Sequence, residues 1–264
     1  MKRFVLLLNG ELGLRVLKYL LNQDQIEIEG IILNSLKKRR LDYLDQVKSV
    51  LKEFEKNIPV LTYEYNFENN TEMRKLLRKS EYGVSALFGH VLPRALLEGI
   101  DCQIINLHPS LLPICRGADP IPWSIIDQQK QGVTIHMVNS GLDTGAILSQ
   151  KEIASNIGMN AGEIYEIATN LPLKVLERVL NPWINQRIDL IEQSEISSPT
   201  RKSKDLEVIR VTKSTEVGAF GDFLRKLQAL TYSDGRKPLF LDESDTLWQK
   251  DVSVTVDGEN QKDN

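Results

Sequence analysis

The stretch Tyr82–His108, YGVSALFGHVLPRALLEGIDCQIINLH, decides the fold. Tyr82 to Phe88 is a short apolar run, the pattern of a strand buried on both faces. Pro93 to Leu97 reads as a brief helix, with Pro93 in the first turn, where its missing N–H is tolerated. Gln103 to Leu107 reads as the next strand. A strand, a helix and a strand in succession imply parallel pairing in a sheet covered by helices.

The same alternation extends upstream. Phe4 to Leu8 reads as a buried strand. Gly10 and Gly13 follow it, and Leu14, Val16, Leu17, Leu20 and Leu21 then fall at helical spacing. Ile26 to Leu33 reads as a strand, Asp42 to Phe54 as an amphipathic helix, Pro59 to Thr62 as a short strand and Glu72 to Lys79 as a helix. The fold class is therefore α/β, a Rossmann-like, mainly parallel sheet flanked by helices, with ligands expected beyond the carboxyl ends of the strands. Downstream the pattern changes. Val133 to Val138 and Ala146 to Ile153 have no helix between them, which predicts antiparallel pairing. A helix is expected from Ala161 to about Ile191, kinked or divided by Pro172 and Pro182. From Ser194 the chain turns polar (SEISSPTRKSKD), which marks a boundary. The expected organisation is a main domain over 1–193, a small β-containing α+β appendage over 194–256 and a frayed tail over 257–264. The appendage's strands are placed at Glu207–Val211, Pro238–Leu241 and Leu247–Val256, and its helix at Glu216–Leu230. It is too small for an independent core, so it is expected to pack on the main domain or on a second subunit, giving a homodimer.

Composition narrows the function classes. With 41% hydrophobic and 26% charged residues the chain can build a full core. A net charge of −3 offers no broad basic surface, so no nucleic-acid partner is expected. No apolar run approaches the roughly 18 residues that span a bilayer. The start, MKRFVLLLNGELG, reaches Asn9 and Gly10 too soon for a secretory leader, so no membrane partner and a cytoplasmic location are expected. Cys102 and Cys115 form no CxxC pair and read as free thiols. The three dispersed histidines make no ligand cluster, so no metal is expected. NGELG is a poor phosphate loop and no dinucleotide site, because Glu11 would repel a phosphate there. The basic run LKKRR (Leu36 to Arg40) reads either as a solvated loop or, through Lys37 to Arg40, as a contact for a substrate phosphate.

The strand that closes the opening stretch carries the chemistry. Residues two apart on a strand share a face, so Asn106 and His108 project side by side at its carboxyl end. A histidine moves protons near neutral pH, and an asparagine amide can donate to an oxygen that gains negative charge. Asp143, in the glycine-flanked turn of SGLDTGAILSQ, supplies a third group, and Gly145 permits a tight turn beside it. Taken alone, a histidine satisfied by backbone and an aspartate in ordinary turn chemistry remain open readings. The loop after His108 is stiffened by prolines (PSLLP) and closed by Arg116 and Gly117, and Asp119 stands as a cap for the helix that follows.

Taken in order, NLHPSLLP, RG, PIPWSI and GVTIHMVNSGLDTGAIL are similar to the formyltransferases that use 10-formyltetrahydrofolate. The resemblance covers about Phe4 to Ile153 and implies the formyltransferase fold. It implies that Asn106, His108 and Asp143 are catalytic, with His108 as base or proton shuttle and Asp143 positioning it or a water. FGHVLPRALLE resembles the segment bordering the folate pterin, which implies cofactor contacts by Phe88, His90, Val91, Leu92, Pro93 and Asp143; the same residues also read as a plain strand-to-helix connection. The loop from Pro109 to Gly117, with Ser110, Arg116 and Gly117, is implied as the acceptor wall. Cys115 departs from the family, which commonly has an aromatic residue before Arg-Gly. His136 either lines the site or merely pairs across the sheet. The co-substrate implied is N10-formyltetrahydrofolate. The tail, FLRKLQALTYSDGRKPLFL then LWQKDVSVTV, resembles that of enzymes acting on nucleotide-linked deoxyamino sugars, so such a sugar is the expected acceptor and surface glycan synthesis the expected pathway. A methionyl-tRNA or other small-amine formyltransferase is the alternative.

Overall fold

A computed structural model describes residues 1–34, 43–63, 71–154, 158–194, 200–202, 204–206, 211–213, 220–232, 239–241 and 247–249. Seven strands form one sheet in the order β3-β2-β1-β4-β5-β6-β7. They are β1 (Lys2–Leu8), β2 (Ile26–Asn34), β3 (Val60–Tyr63), β4 (Tyr82–Ala86), β5 (Gln103–His108), β6 (Gly132–Met137) and β7 (Ile147–Glu152). β1 to β5 pair in parallel, and β6 and β7 are antiparallel additions at one edge. The crossovers are α1 (Gly10–Leu21), α2 (Tyr43–Glu53), α3 (Thr71–Lys79) and α4 (Arg94–Leu97), followed by α5 (Pro120–Ile126) and α6 (Ala161–Ile184).

The period of two in β1 builds both cores. Phe4, Leu6 and Leu8 face one side, among α1, α2 and α6 residues such as Leu17, Val47 and Leu176. Val5 and Leu7 face the other, with Met73 and Leu77 of α3 and Leu96 of α4. β1 lies inside the sheet and helices cover both of its faces, so neither face meets water, and a continuous apolar run is what such a strand requires.

α6 departs from expectation. Pro172 and Pro182, expected to kink or divide it, do not divide it: one helix of 24 residues runs through both and stops at Ile184 rather than near Ile191. Each proline removes a single i→i−4 bond, and burial of Ile164, Ala168, Val175, Leu176, Val179, Leu180, Trp183 and Ile184 outweighs that loss. A capping box starts the helix: Asn160 Oδ1 accepts from the Glu163 N–H at 3.1 Å, and Glu163 Oε2 accepts from the Asn160 N–H at 2.7 Å. Gln186, at φ 54°, turns the chain away, and the segment beyond runs back to β7, where Ile191 bridges to Ile147.

Beyond this segment lie β8 (Val211–Lys213), α7 (Phe220–Leu230), β9 (Leu239–Leu241) and β10 (Leu247–Gln249). β8 pairs with β9 in parallel and β9 with β10 antiparallel, as a second small sheet. α7 packs on α5 and α6, burying Leu227, Ala229 and Leu230. The Gly162 N–H donates to the Thr231 carbonyl at 2.9 Å. Residues 207–210 and 216–219 of the expected strand and helix, 250–256 of the last expected strand, the tail 257–264 and the basic run at Lys37 to Arg40 lie outside the described residues. Among the described residues, no helix is long and apolar enough to cross a membrane.

Phe4 is 0% exposed and stacks on Tyr82, with ring centroids 5.4 Å apart, while meeting Trp183 edge-on at 6.1 Å. It joins the central strand to α6. Phe4→Ala is expected to destabilise the fold by about 3–5 kcal/mol, read as a lower urea midpoint with an unchanged slope.

Candidate active site

β5 delivers Asn106 and His108 to the carboxyl edge of the sheet, and antiparallel β6 brings partners opposite them. Asn106 faces His136, and His108 faces Thr134. Directly opposed residues share a face, so one strand pair assembles an amide and two imidazoles. The Asn106 amide Nδ2 lies 3.2 Å from His136 Nε2. His136 Nδ1 lies 2.9 Å from the Met137 carbonyl, which can only accept, so the ring proton is assigned to Nδ1 and Nε2 accepts from Asn106. His136 therefore does both of the things the sequence left open: it pairs across the sheet and it lines the site.

The same logic assigns His108. Its Nε2 lies 3.1 Å from the Cys115 carbonyl and must donate to it. In the neutral ring Nδ1 then carries a lone pair, and it faces Asp143 Oδ2 at 3.6 Å. This is the proton-accepting atom of the cluster, with a carboxylate placed to favour the proton's arrival. Burial pulls the His108 pKa below its ordinary value and His136 adds to this, against the opposing pull of Asp143 and the Cys115 carbonyl. Burial disfavours the charged form of Asp143 as well. His108, His136 and a hydrogen bond from the Gly117 N–H at 2.9 Å outweigh that, so its carboxyl stays below the usual range. Its other oxygen, Oδ1, lies 3.6 Å from His136 Nε2. Asn106, His108 and Asp143 are thus brought together, with His136 as a fourth member.

The Asp143 turn leaves no room for adjustment. Asp143 itself is left-handed at φ 53°. A Cβ on Gly145 would lie 1.9 Å from the Met137 carbonyl oxygen, so only glycine fits there. From outside, the Gln193 amide donates to the Asp143 carbonyl at 2.9 Å and to the Gly145 carbonyl at 2.7 Å. Its Oε1 accepts from Arg116 Nε at 3.1 Å and Nη2 at 2.7 Å.

The loop from Pro109 to Gly117 is held by Thr134, which donates to the Ser110 carbonyl at 2.6 Å and accepts from the Leu112 N–H at 3.1 Å. Ser110 is buried, and its hydroxyl donates to the Ile114 carbonyl at 2.8 Å, so that group serves the shape of the loop. Cys115 is left-handed at φ 55°, which aims its carbonyl at His108. Burial pushes the Cys115 thiol up to about 11 and the Cys102 thiol up to about 12, so neither is a thiolate at neutral pH. Asp119 does not cap α5 as expected: it is left-handed at φ 53°, and its side chain makes no capping hydrogen bond.

The segment from Leu87 to Pro93 leaves β4 beside the carboxyl end of β5. Leu87 (φ 54°) and Gly89 (φ 74°) are left-handed. Phe88 and Leu92 turn into the second core, while Val91 is 48% exposed. His90 Nε2 sits 2.6 Å from Asn34 Oδ1, and burial lowers its pKa. Pro93 stands at the N-cap of α4. Asn34 and Gln193 were not found from sequence, and of His136 the sequence named both roles without showing that they hold together. Asn34 and Gln193 lie far from the motif in the chain, and His136 needed the β5–β6 register.

Residues 2–180 match the sequence profile of a family described as formyl transferase. A dTDP-4-amino-4,6-dideoxyglucose formyltransferase of Mycobacterium tuberculosis is 37% identical over 159 residues, covering 58% of this chain and 64% of that protein. A methionyl-tRNA formyltransferase of Clostridium perfringens is 31% identical over 176 residues, covering 66% of this chain and 57% of that one. The chain thus spans less than two thirds of the length of either relative. The crystal structure of a 4-N formyltransferase from Francisella tularensis superposes with a TM-score of 0.80 at 18% identity, covering 97% of this chain and 98% of that one, and so shares the fold.

Because the folded-state pKa of His108 is lowered, the unfolded chain takes up its proton first as pH falls. This contribution to stability is therefore complete above the ordinary histidine value of about 6.5 and declines below it. Asp143→Asn removes the charge that raises the His108 pKa. An NMR titration of the imidazole resonances is expected to place His108 below the ordinary value in the wild type and lower still in D143N; a rise in D143N would contradict the assignment.

Proposed function

The chain belongs to the formyl transferase family, and from that premise we propose that it moves a formyl group from N10-formyltetrahydrofolate to the amino group of a nucleotide-linked deoxyamino sugar. The observation that carries this reading is the buried cluster of Asn106, His108 and Asp143 at the carboxyl edge of the sheet. N10-formyltetrahydrofolate supplies an activated formyl carbon. The segment Leu87 to Pro93 suits its pterin, because the left-handed turns at Leu87 and Gly89 present main-chain groups and Val91 supplies an apolar surface. Asp143 adds a contact from the facing turn.

In this reading the amine's nitrogen bonds to the formyl carbon, and the bond from that carbon to N10 breaks. Asn106 gives one amide N–H to His136 and keeps the second for the oxygen that gains charge. The proton lost by the amine is taken on His108 Nδ1, and the carboxylate of Asp143 stabilises the imidazolium. The same proton is returned to N10 as it leaves. A histidine whose pKa lies below neutrality is in its accepting form when the amine arrives. Arg116, Gly117 and the Ser110-stiffened loop form the acceptor wall.

The acceptor class rests on the relative of Mycobacterium tuberculosis, which is named for a dTDP-linked amino sugar. The relative of Clostridium perfringens favours methionyl-tRNA as a second reading; a net charge of −3 speaks against it, since tRNA binding draws on basic surface. A cytoplasmic enzyme supplying surface glycan precursors follows from the sugar reading. The same reading takes 1–193 as catalytic and 194–256 as a unit that joins a homodimer, checked by light scattering at low concentration.

Purified protein given N10-formyltetrahydrofolate and a panel of nucleotide-linked 3- and 4-amino deoxysugars is expected to yield a formamido sugar, seen as a gain of one formyl mass. Formylated methionyl-tRNA with every sugar inert would reverse the choice of acceptor. His108→Asn is expected to lower kcat by roughly 10²–10⁴-fold while folate affinity, measured by calorimetry, stays close to that of the wild type.

A further inference from the structure

Gln193 lies just past α6, on the segment that returns from Gln186 to pair with β7, and no motif includes it. Its amide is used to capacity. Both N–H groups are spent on the carbonyls of Asp143 and Gly145, at 2.9 and 2.7 Å. Its oxygen takes two N–H groups of the Arg116 guanidinium, at 3.1 and 2.7 Å. The orientation of the amide has one solution: carbonyls demand N–H, and a guanidinium demands oxygen.

We propose that Gln193 is a positioning residue, locking the Asp143 turn and the Arg116 guanidinium into one unit so that the carboxylate keeps its place beside His108. This rests on the reading of Asp143 and His108 as the catalytic pair. Three observations support it. Asp143 sits at φ 53°, a strained conformation for a residue other than glycine, and such a conformation persists only where its surroundings fix it. Gly117 holds the side chain of Asp143, and Gln193, from outside the turn, holds its main-chain carbonyl. A neutral amide also fixes Arg116 without cancelling its charge. Among the described residues Arg116 has no carboxylate partner, and three of its five N–H groups stay free for an acceptor.

The test uses Gln193→Met, which deletes all four bonds, and Gln193→Glu, which keeps an oxygen toward Arg116 but sets the other against two carbonyl oxygens. The groups facing His108 are Asp143, His136 and the Cys115 carbonyl. Gln193→Met is expected to move the His108 NMR titration lower, in the direction of D143N, because the carboxylate drifts from the ring, whereas the charge that Gln193→Glu adds opposes that shift. Both variants are expected to lower kcat by about tenfold or more, to raise KM for the acceptor, and to leave KM for the folate unchanged. A merely structural residue would lower Tm and leave the His108 titration and the kcat of the folded protein alone. An unmoved His108 titration in the folded Gln193→Met variant overturns the proposal, even if activity falls. A moved titration in a protein that formylates no acceptor upholds the positioning and overturns the catalytic reading instead.

Discussion

The antiparallel pairing of β5 with β6 is the constraint on which the site depends. Five parallel strands would end at β5 with Asn106 and His108 at an open edge. β6, running the other way, sets His136 opposite Asn106 and Thr134 opposite His108. It then ends where a sharp turn must begin, and that turn carries Asp143. One strand reversal thus supplies the second imidazole, the residue that holds the loop from Pro109 to Gly117 and the carboxylate. Because residue pairing in a sheet alternates faces, a slip of one residue would send His136 to the other side and dismantle the cluster.

Electrostatics explains why the cluster is tightly enclosed. A carboxylate removed from water is costly unless paired or hydrogen-bonded. Asp143 accepts the Gly117 N–H, and either imidazole pairs with its carboxylate once protonated, so its carboxyl stays below the usual range despite burial. His108 is under the opposite pressure: its burial favours the neutral ring, and the same carboxylate favours the charged one. A group balanced in that way can take a proton and give it back, and this is the property that the formyl transfer proposed above asks of it. The thiol of Cys115, the residue whose carbonyl meets His108, is held in the neutral form by burial.

Much of this was legible in the chain. The buried parallel strands, the brief helix after Pro93 and the antiparallel pair at the edge follow from apolar period and spacing, and the structure has them. The pair Asn106 and His108 follows from the period of two. What was not legible has a common cause. The double role of His136 depends on inter-strand register, and Gln193 and Asn34 reach the site through tertiary contacts that leave no local pattern. The prolines of α6 misled for a related reason: propensity counted the lost hydrogen bonds, while packing of the helix against the sheet decided the outcome. Asp119 misled through its backbone, since a left-handed residue cannot adopt the extended conformation of an ordinary N-cap.

Strain and support are distributed together around the site. Three residues other than glycine, Cys115, Asp119 and Asp143, hold positive φ within one loop and the turn facing it. At roughly 1–3 kcal/mol each, they would relax if the chain were free to move. The returning segment after α6 prevents this. Arg201 accepts from the Ala118 N–H at 3.0 Å and donates to the Arg116 carbonyl at 3.3 Å, and its guanidinium lies 4.0 Å over the ring of Trp123. Its carbonyl oxygen comes so close to Gly117 that a Cβ there would lie 2.3 Å away. Gln193 ties the other side of the same loop to the Asp143 turn. The polar stretch that begins at Ser194 reads in sequence as a link between two units. In the fold, Gln193 just before it and Arg201 within it fasten the loop and the turn whose shapes aim Cys115 and Asp143 at His108, so the geometry of the cluster depends on residues that the sequence places at its margin.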